Sequence, residues 1–238
     1  MTQTQPQFQH PLLQIGSIAF ITGAIIIIVS TVFHSSSEDP NNPLLVFAKY
    51  ASDDSWVAVH IGQFVGVVMV FAGGFVALYR LLVHSDSSIT SILAWIGLAL
   101  AIITASVFAV LQAVDGIALK MAVNSWVAAP TEEKAITFRV AEGIRFTEYG
   151  INSIFRIFQG TVAVIFGVAI VKSKLLSKWI SGAGVIIGVV AIYAGLEVAY
   201  LGFGTIGISM IIYFIWVGIL GGLMWKKSVS MSMSNQKV

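Results

Sequence analysis

Six apolar runs, each close to the length that crosses a bilayer, leave this chain few ways to fold. They occupy residues 12–33, 57–82, 92–114, 151–171, 179–201 and 206–225, against the roughly 20 residues an α-helix needs to traverse hydrocarbon. The composition agrees. Of the 238 residues 57% are hydrophobic and 10% charged, with a mean hydropathy of +0.91, too apolar for a soluble domain and ordinary for a polytopic membrane protein. The expected fold class is all-α, a single six-helix membrane domain over residues 1–228 followed by a short disordered cytoplasmic tail at 229–238. The segment before residue 33 has no basic leader and no small-residue cleavage site, so it is expected to stay as the first membrane helix.

Helical patterning runs beyond the third and fourth spans. It continues from Val114 to about Ala128 and restarts after Pro130, with Thr131 as the expected N-cap and Glu132 and Glu133 in the first turn. At 1.5 Å per residue each continuous helix would measure roughly 55–60 Å, against a hydrocarbon core of about 30 Å. The expectation is that helices three and four extend on the outer side as a helical hairpin, bent near Gly116 and Gly150. The preceding outer connection contains a turn-rich HSSSEDPNNP and then a short amphipathic helix over Leu44 to Tyr50.

Orientation follows from the basic residues. Arg80, Lys172, Lys174, Lys178, Lys226, Lys227 and Lys237 flank the side that holds both termini. The other side mixes Lys49, Lys120, Lys134 and Arg139 with acids. The positive-inside rule then makes this an integral protein of the plasma or inner membrane with both termini cytoplasmic. A net charge of +2 from scattered Lys and Arg predicts no nucleic-acid partner. The absence of Cys removes disulfides, thiolate metal sites, iron–sulfur clusters and cysteine nucleophiles. Gly62/Gly66, Gly184/Gly188 and Gly218/Gly222 are spaced for close helix approach, expected mainly within the chain, with an oligomer or a membrane-complex partner as the other use.

The polar residues are not spread evenly. In Arg139 to Gln159 a stripe of Glu142, Arg145, Glu148, Asn152, Arg156 and Gln159 falls within roughly 120° of helix circumference. A stripe that enters an apolar span must turn away from lipid. His34, His60, Gln63, Gln112, Asp115, Tyr193 and Glu197 all belong to the same outer layer, and the inner leaflet has almost no ionisable groups. Arg145 is expected to pair locally with Glu142 and Glu148, and Arg156 with Glu197 or Asp115 from another helix.

The expectation is therefore an outward-facing polar pocket walled by spans two to five. Its lining would be His60, Gln63, Gln112, Asp115, Arg145, Glu148, Asn152, Arg156, Tyr193 and Glu197. Binding or translocation of a small polar or anionic ligand is the first reading, with the arginines holding an anion and His60 or Glu197 carrying protons. A metal-dependent membrane enzyme is the second, with ligands from His34, His60, Asp115, Glu148 and Glu197. That set suits zinc, iron or manganese, although no H-x-x-x-H or E-x-x-H spacing marks it. A third is lipid or quinone binding in a groove lined by Trp126, Tyr149, Tyr193 and Tyr200, residues that the aromatic belt also explains. Facing histidines for haem are not apparent. A charge network that only fixes helix register, in a structural subunit of a larger complex, accounts for the same residues. The sequence names no cofactor and no catalytic residue, and among partners it implies membrane lipid.

The apolar first span, LLVFAKYASDDSWV, the ALYRLL that ends span two, AVDGIALK and AEGIRFTEYGINSIFRIFQG together resemble a group of uncharacterised six-helix integral membrane proteins of bacteria and archaea. The resemblance implies the six-helix fold and no particular activity.

Overall fold

The computed structural model describes residues 9–34, 42–85, 87–198, 201 and 203–235. The helices among them are α1 (Gln9–Phe33), α2 (Pro43–Ser52), α3 (Trp56–Leu82), α4 (Ser88–Ala128), α5 (Lys134–Ser173), α6 (Lys178–Leu196) and α7 (Phe203–Asn235). All but the short α2 contain a stretch long and apolar enough to cross a membrane. Six membrane-length helices in series bring the start of α1 and the end of α7 to one end of the bundle, here the terminal end, and place α2 and the α4–α5 turn at the distal end.

Local chemistry sets the boundaries. The Asn42 side chain accepts from the Leu45 N–H, and Pro43 occupies the first turn of α2. Asp53 Oδ1 then takes both the N–H and the hydroxyl of Ser55, at 2.8 and 2.6 Å, in the turn that starts α3. The Ser87 hydroxyl caps α4. Helix α5 starts at Lys134, with Glu133 rather than Thr131 at its cap. The Lys134 ammonium donates back to the carbonyls of Trp126 and Val127 at the end of α4, where a cation suits the helix dipole.

Helices α4 and α5, 41 and 40 residues long, each measure about 60 Å, twice a hydrocarbon core. Helical hydrogen bonding passes Gly150 without a break, whereas Gly116 lies within a π-helical turn, Ala113–Leu119. A second π turn, Met69–Gly74, interrupts α3. The α6 helix is shorter than its apolar run suggests and stops at Leu196. Helix α7 reaches Asn235, well into the segment expected to be a tail.

The main core joins residues from α1, α3, α4, α5 and α7. Phe75 packs edge-on to Phe20 (centroids 5.0 Å apart) and stacks on Phe166 at 4.9 Å. Helices α5 and α6 approach most closely at Gly160 and Gly188. A Cβ on Gly160 would stand 2.3 Å from the Gly188 carbonyl oxygen, and one on Gly188 2.6 Å from that of Gly160. Gly62 and Gly66 likewise lie against α1, at Ser30 and Gly23, but Gly222 faces open space. Large exposed side chains such as Ile15, Ile25, Ile102 and Ile186 cover the outside, as lipid contact requires. At the distal end a smaller core joins Val46, Phe47 and Tyr50 of α2 to Trp56, Leu119, Ala122, Val123 and Ala141. This cap roofs the polar layer beneath it.

Candidate functional site

Below the cap, α3, α4, α5 and the residue that follows α1 bring polar side chains around one cavity, and α7 adds apolar wall. It is lined by His34, Gln63, Gln112, Asp115, Arg145, Glu148, Asn152 and Arg156, with Phe108, Phe155 and Met210 among its apolar walls. Its free volume is about 40 Å³, room for a few waters or a small ion. Ligand sites for larger organic molecules have several hundred Å³.

The π turn in α4 shapes one wall. Adding a residue to a helical turn disrupts the regular ladder of carbonyl bonds; here the Asp115 carbonyl accepts the indole N–H of Trp56 at 3.1 Å. Next to it Gly116 lets α3 come close, since a Cβ there would be 2.6 Å from the Cβ of His60. The contact presses the His60 ring against Asp115. His60 Nδ1 lies 2.6 Å from the Trp56 carbonyl oxygen one turn back, and Nε2 lies 3.2 Å from Asp115 Oδ2. The His34 ring packs at 5.1 Å, centroid to centroid, from the rings of both His60 and Trp56. One ligand atom each from His34, His60 and Asp115 falls within 4.8 Å of the others.

Helix α5 supplies the opposite wall. Arg145 pairs with Glu148 at 3.0 Å, faces Asp115 Oδ1 at 3.8 Å, and lies over the ring of Tyr149 at 4.5 Å. Glu148 accepts from Asn152, whose own oxygen accepts from Arg156 Nε at 3.3 Å. Each step is four residues, so the stripe becomes a hydrogen-bonded chain down one helix face. Glu142 pairs with Arg139 near the surface. Arg156 is 3% exposed. Its other contact is Met210 Sδ at 3.2 Å, and among the described residues no carboxylate lies within ion-pairing distance.

Three expected members do not line the cavity. His60, in contact with Asp115, faces a separate groove with Ile61, Phe64 and Ile117. Tyr193 is 61% exposed, because α6 turns its small face of Gly184, Gly188, Ala191 and Ala194 into the bundle. Glu197 follows the last residue of α6 and serves as its C-cap, with its N–H on the Tyr193 carbonyl. It makes no ion pair with Arg156 and does not line the cavity. Val198, Leu201, Ile206 and Met210 close that side instead. Among the described residues Trp126, Tyr149 and Tyr193 share no groove: Trp126 packs on Phe47 and Phe138 in the cap, Tyr149 lines the cavity, and Tyr200 lies outside the described residues.

Sequence reasoning passed over Trp56, Lys120 and Met210. The i, i+4 spacing of Trp56 and His60 was a visible signal for the first. Nothing local marks Met210, which reaches Arg156 from 54 residues away. Lys120 donates to the carbonyls of Tyr50, Ala51 and Asp53 at 2.7, 2.9 and 2.8 Å, tying the end of α2 to α4.

A bundle of six membrane-length helices around a buried, charged and hydrogen-bonded layer is that of a polytopic integral membrane protein. Residues 15–227 match a family described as a domain of unknown function, DUF4386, and the chain belongs to that family. No curated protein and no solved structure matches it.

Proposed function

We propose that the chain is a membrane protein that binds a small anionic ligand in the buried cavity, with Arg156 as its principal contact. The observation that carries this reading is the state of Arg156. A guanidinium in a membrane interior is costly unless a negative charge or water compensates it. Glu148 is engaged directly by Arg145 and Asn152, and the close contacts of the Arg156 guanidinium are an amide oxygen, a thioether and the Phe155 ring, none of them a carboxylate. The guanidinium fork suits a carboxylate or an oxyanion, and the small free volume favours an ion of a few atoms.

Binding has more support than passage. One turn below Arg156, Gln159 is fully buried, and beyond it Phe166, Phe75 and Tyr213 fill the core. Translocation would therefore need helix movement. The basic residues at the terminal end favour cytoplasmic termini and a cavity nearer the outer face. A C-terminal reporter active only in the cytoplasm tests that orientation.

The binding reading is tested by thermal unfolding of the detergent-purified protein in sodium chloride, nitrate, formate and bicarbonate, with gluconate as a bulky comparison. A saturable stabilisation by one of the small anions is expected, reaching about 2.7 kcal/mol at a hundredfold excess over Kd. It should vanish in Arg156→Gln. An identical response to all five salts in both proteins would sink the proposal.

A further inference from the structure

His60 Nε2 and Asp115 Oδ2 face each other closely enough to share a proton or a metal cation. A backbone carbonyl only accepts, so His60 Nδ1, at 2.6 Å from the Trp56 oxygen, must carry a proton. In the neutral ring Nε2 is then a bare lone pair, and it points at a carboxylate oxygen 3.2 Å away. Two acceptors at that distance repel unless a second ring proton or a metal ion lies between them. The second Asp115 oxygen, Oδ1, accepts no hydrogen bond among the described residues.

We propose that His34, His60 and Asp115 form a binding site for a divalent first-row transition ion of the zinc type. Two ligand atoms bound to a tetrahedral zinc at its usual bond lengths stand about 3.3 Å apart, close to the observed 3.2 Å. The third ligand, from His34, lies within 4.8 Å of both. The Trp56 carbonyl behind His60 is the outer partner that metal-bound histidines characteristically have, fixing tautomer and ring plane. Two imidazoles and one carboxylate select zinc, iron(II) or cobalt(II) over magnesium, calcium or copper(I).

The three ligands come from the residue that follows α1, from α3 and from α4, and the rings of His34 and His60 are buried. His34 and Asp115 also line the water-sized cavity, so a fourth position opens onto it. Three protein ligands with one open position is the arrangement that lets zinc bind and activate water or a small anion. Arg145 stands on the far side of Asp115, 3.8 Å from Oδ1, where it balances the carboxylate without competing for the metal. The site does not depend on anion binding at Arg156, which is not one of the ligands.

The test uses the full chain in detergent, stripped with a chelator and titrated with cobalt(II) and then zinc(II). The expected result is one equivalent of cobalt with the strong visible absorption of a four-coordinate ion, displaced by zinc. His34→Gln, His60→Gln and Asp115→Asn should each weaken binding at least ~10-fold. His84→Gln, at an exposed histidine on the terminal end, should leave it unchanged. Wild type without saturable one-equivalent binding overturns the site, as does binding that survives all three ligand changes. Should the variants not fold, wild type decides alone: zinc must raise its unfolding temperature and cobalt must give the four-coordinate spectrum. Absence of either overturns the proposal.

Discussion

The indole N–H of Trp56 donates to the backbone carbonyl of Asp115 at 3.1 Å, across 59 residues of sequence. The bond joins the first turn of α3 to the π turn of α4, whose Asp115 lines the cavity together with Gln112 just before the turn. Trp56→Phe keeps the ring packing and leaves the buried carbonyl unsatisfied, which should cost about 1–3 kcal/mol. Unfolding in a mild detergent with graded denaturant measures it. An unchanged midpoint would mean that the π turn does not need the indole.

At the other side of the cap, Lys120 and Asp53 tie α2 to the bundle. Burial raises the Asp53 pKa, but the Ser55 hydroxyl and N–H and the charge of Lys120 outweigh it and hold the group below the usual carboxylate value. A lowered folded-state pKa gives stabilisation that is complete above the unfolded value near 4 and is lost as pH falls through the folded one. Hydrogen exchange of the α2 amides should therefore quicken between about pH 4 and lower values in the wild type. Asp53→Asn should flatten that dependence. Lys120→Met should speed exchange at every pH by removing the three carbonyl contacts.

Gly160→Ala or Gly188→Ala forces a methyl into a backbone oxygen, so each should destabilise by about 1–3 kcal/mol. Gly222→Ala, with nothing near its Cβ, should stay within about 0.5 kcal/mol. Equal effects at the two kinds of site would contradict the α5–α6 contact.

Removing the Glu148 charge takes from the largely enclosed Arg145 its 3.0 Å partner and leaves Asp115 at 3.8 Å. Glu148→Gln and Arg145→Met should each cost about 3–5 kcal/mol, and the double variant less than the sum. Glu197→Gln is expected to change stability little, because Glu197 caps α6 and pairs with no arginine. A large loss there would restore the Arg156–Glu197 pair that sequence reasoning favoured.

That expected pair shows where linear reasoning fails. Its depth estimate assumed that α6 ran the full length of its apolar run, to residue 201. Hydropathy reports what a segment can be immersed in, not where its helix stops. The helix ends at Leu196, which leaves Glu197 half-buried at its C-cap rather than in the cavity wall. Tyr193 was assigned to the pocket by depth as well, yet depth says nothing about rotation. Rotation is set by the small residues that α6 presents to α5.

Six spans, long third and fourth helices, a polar stripe on α5 and the crowding of ionisable residues at one depth were all legible in the residues themselves. Each depends on a local property: run length against bilayer thickness, helical period, and the cost of a charge in hydrocarbon. The meeting of His34, His60 and Asp115 is not local. It depends on a π turn at 113–119, on a glycine that admits α3, and on the angle at which α1 ends beside both. No sequence period encodes the relative rotation of three helices. Packing chooses it, so the residue types announced a polar layer and only the tertiary structure decided which atoms face each other within it.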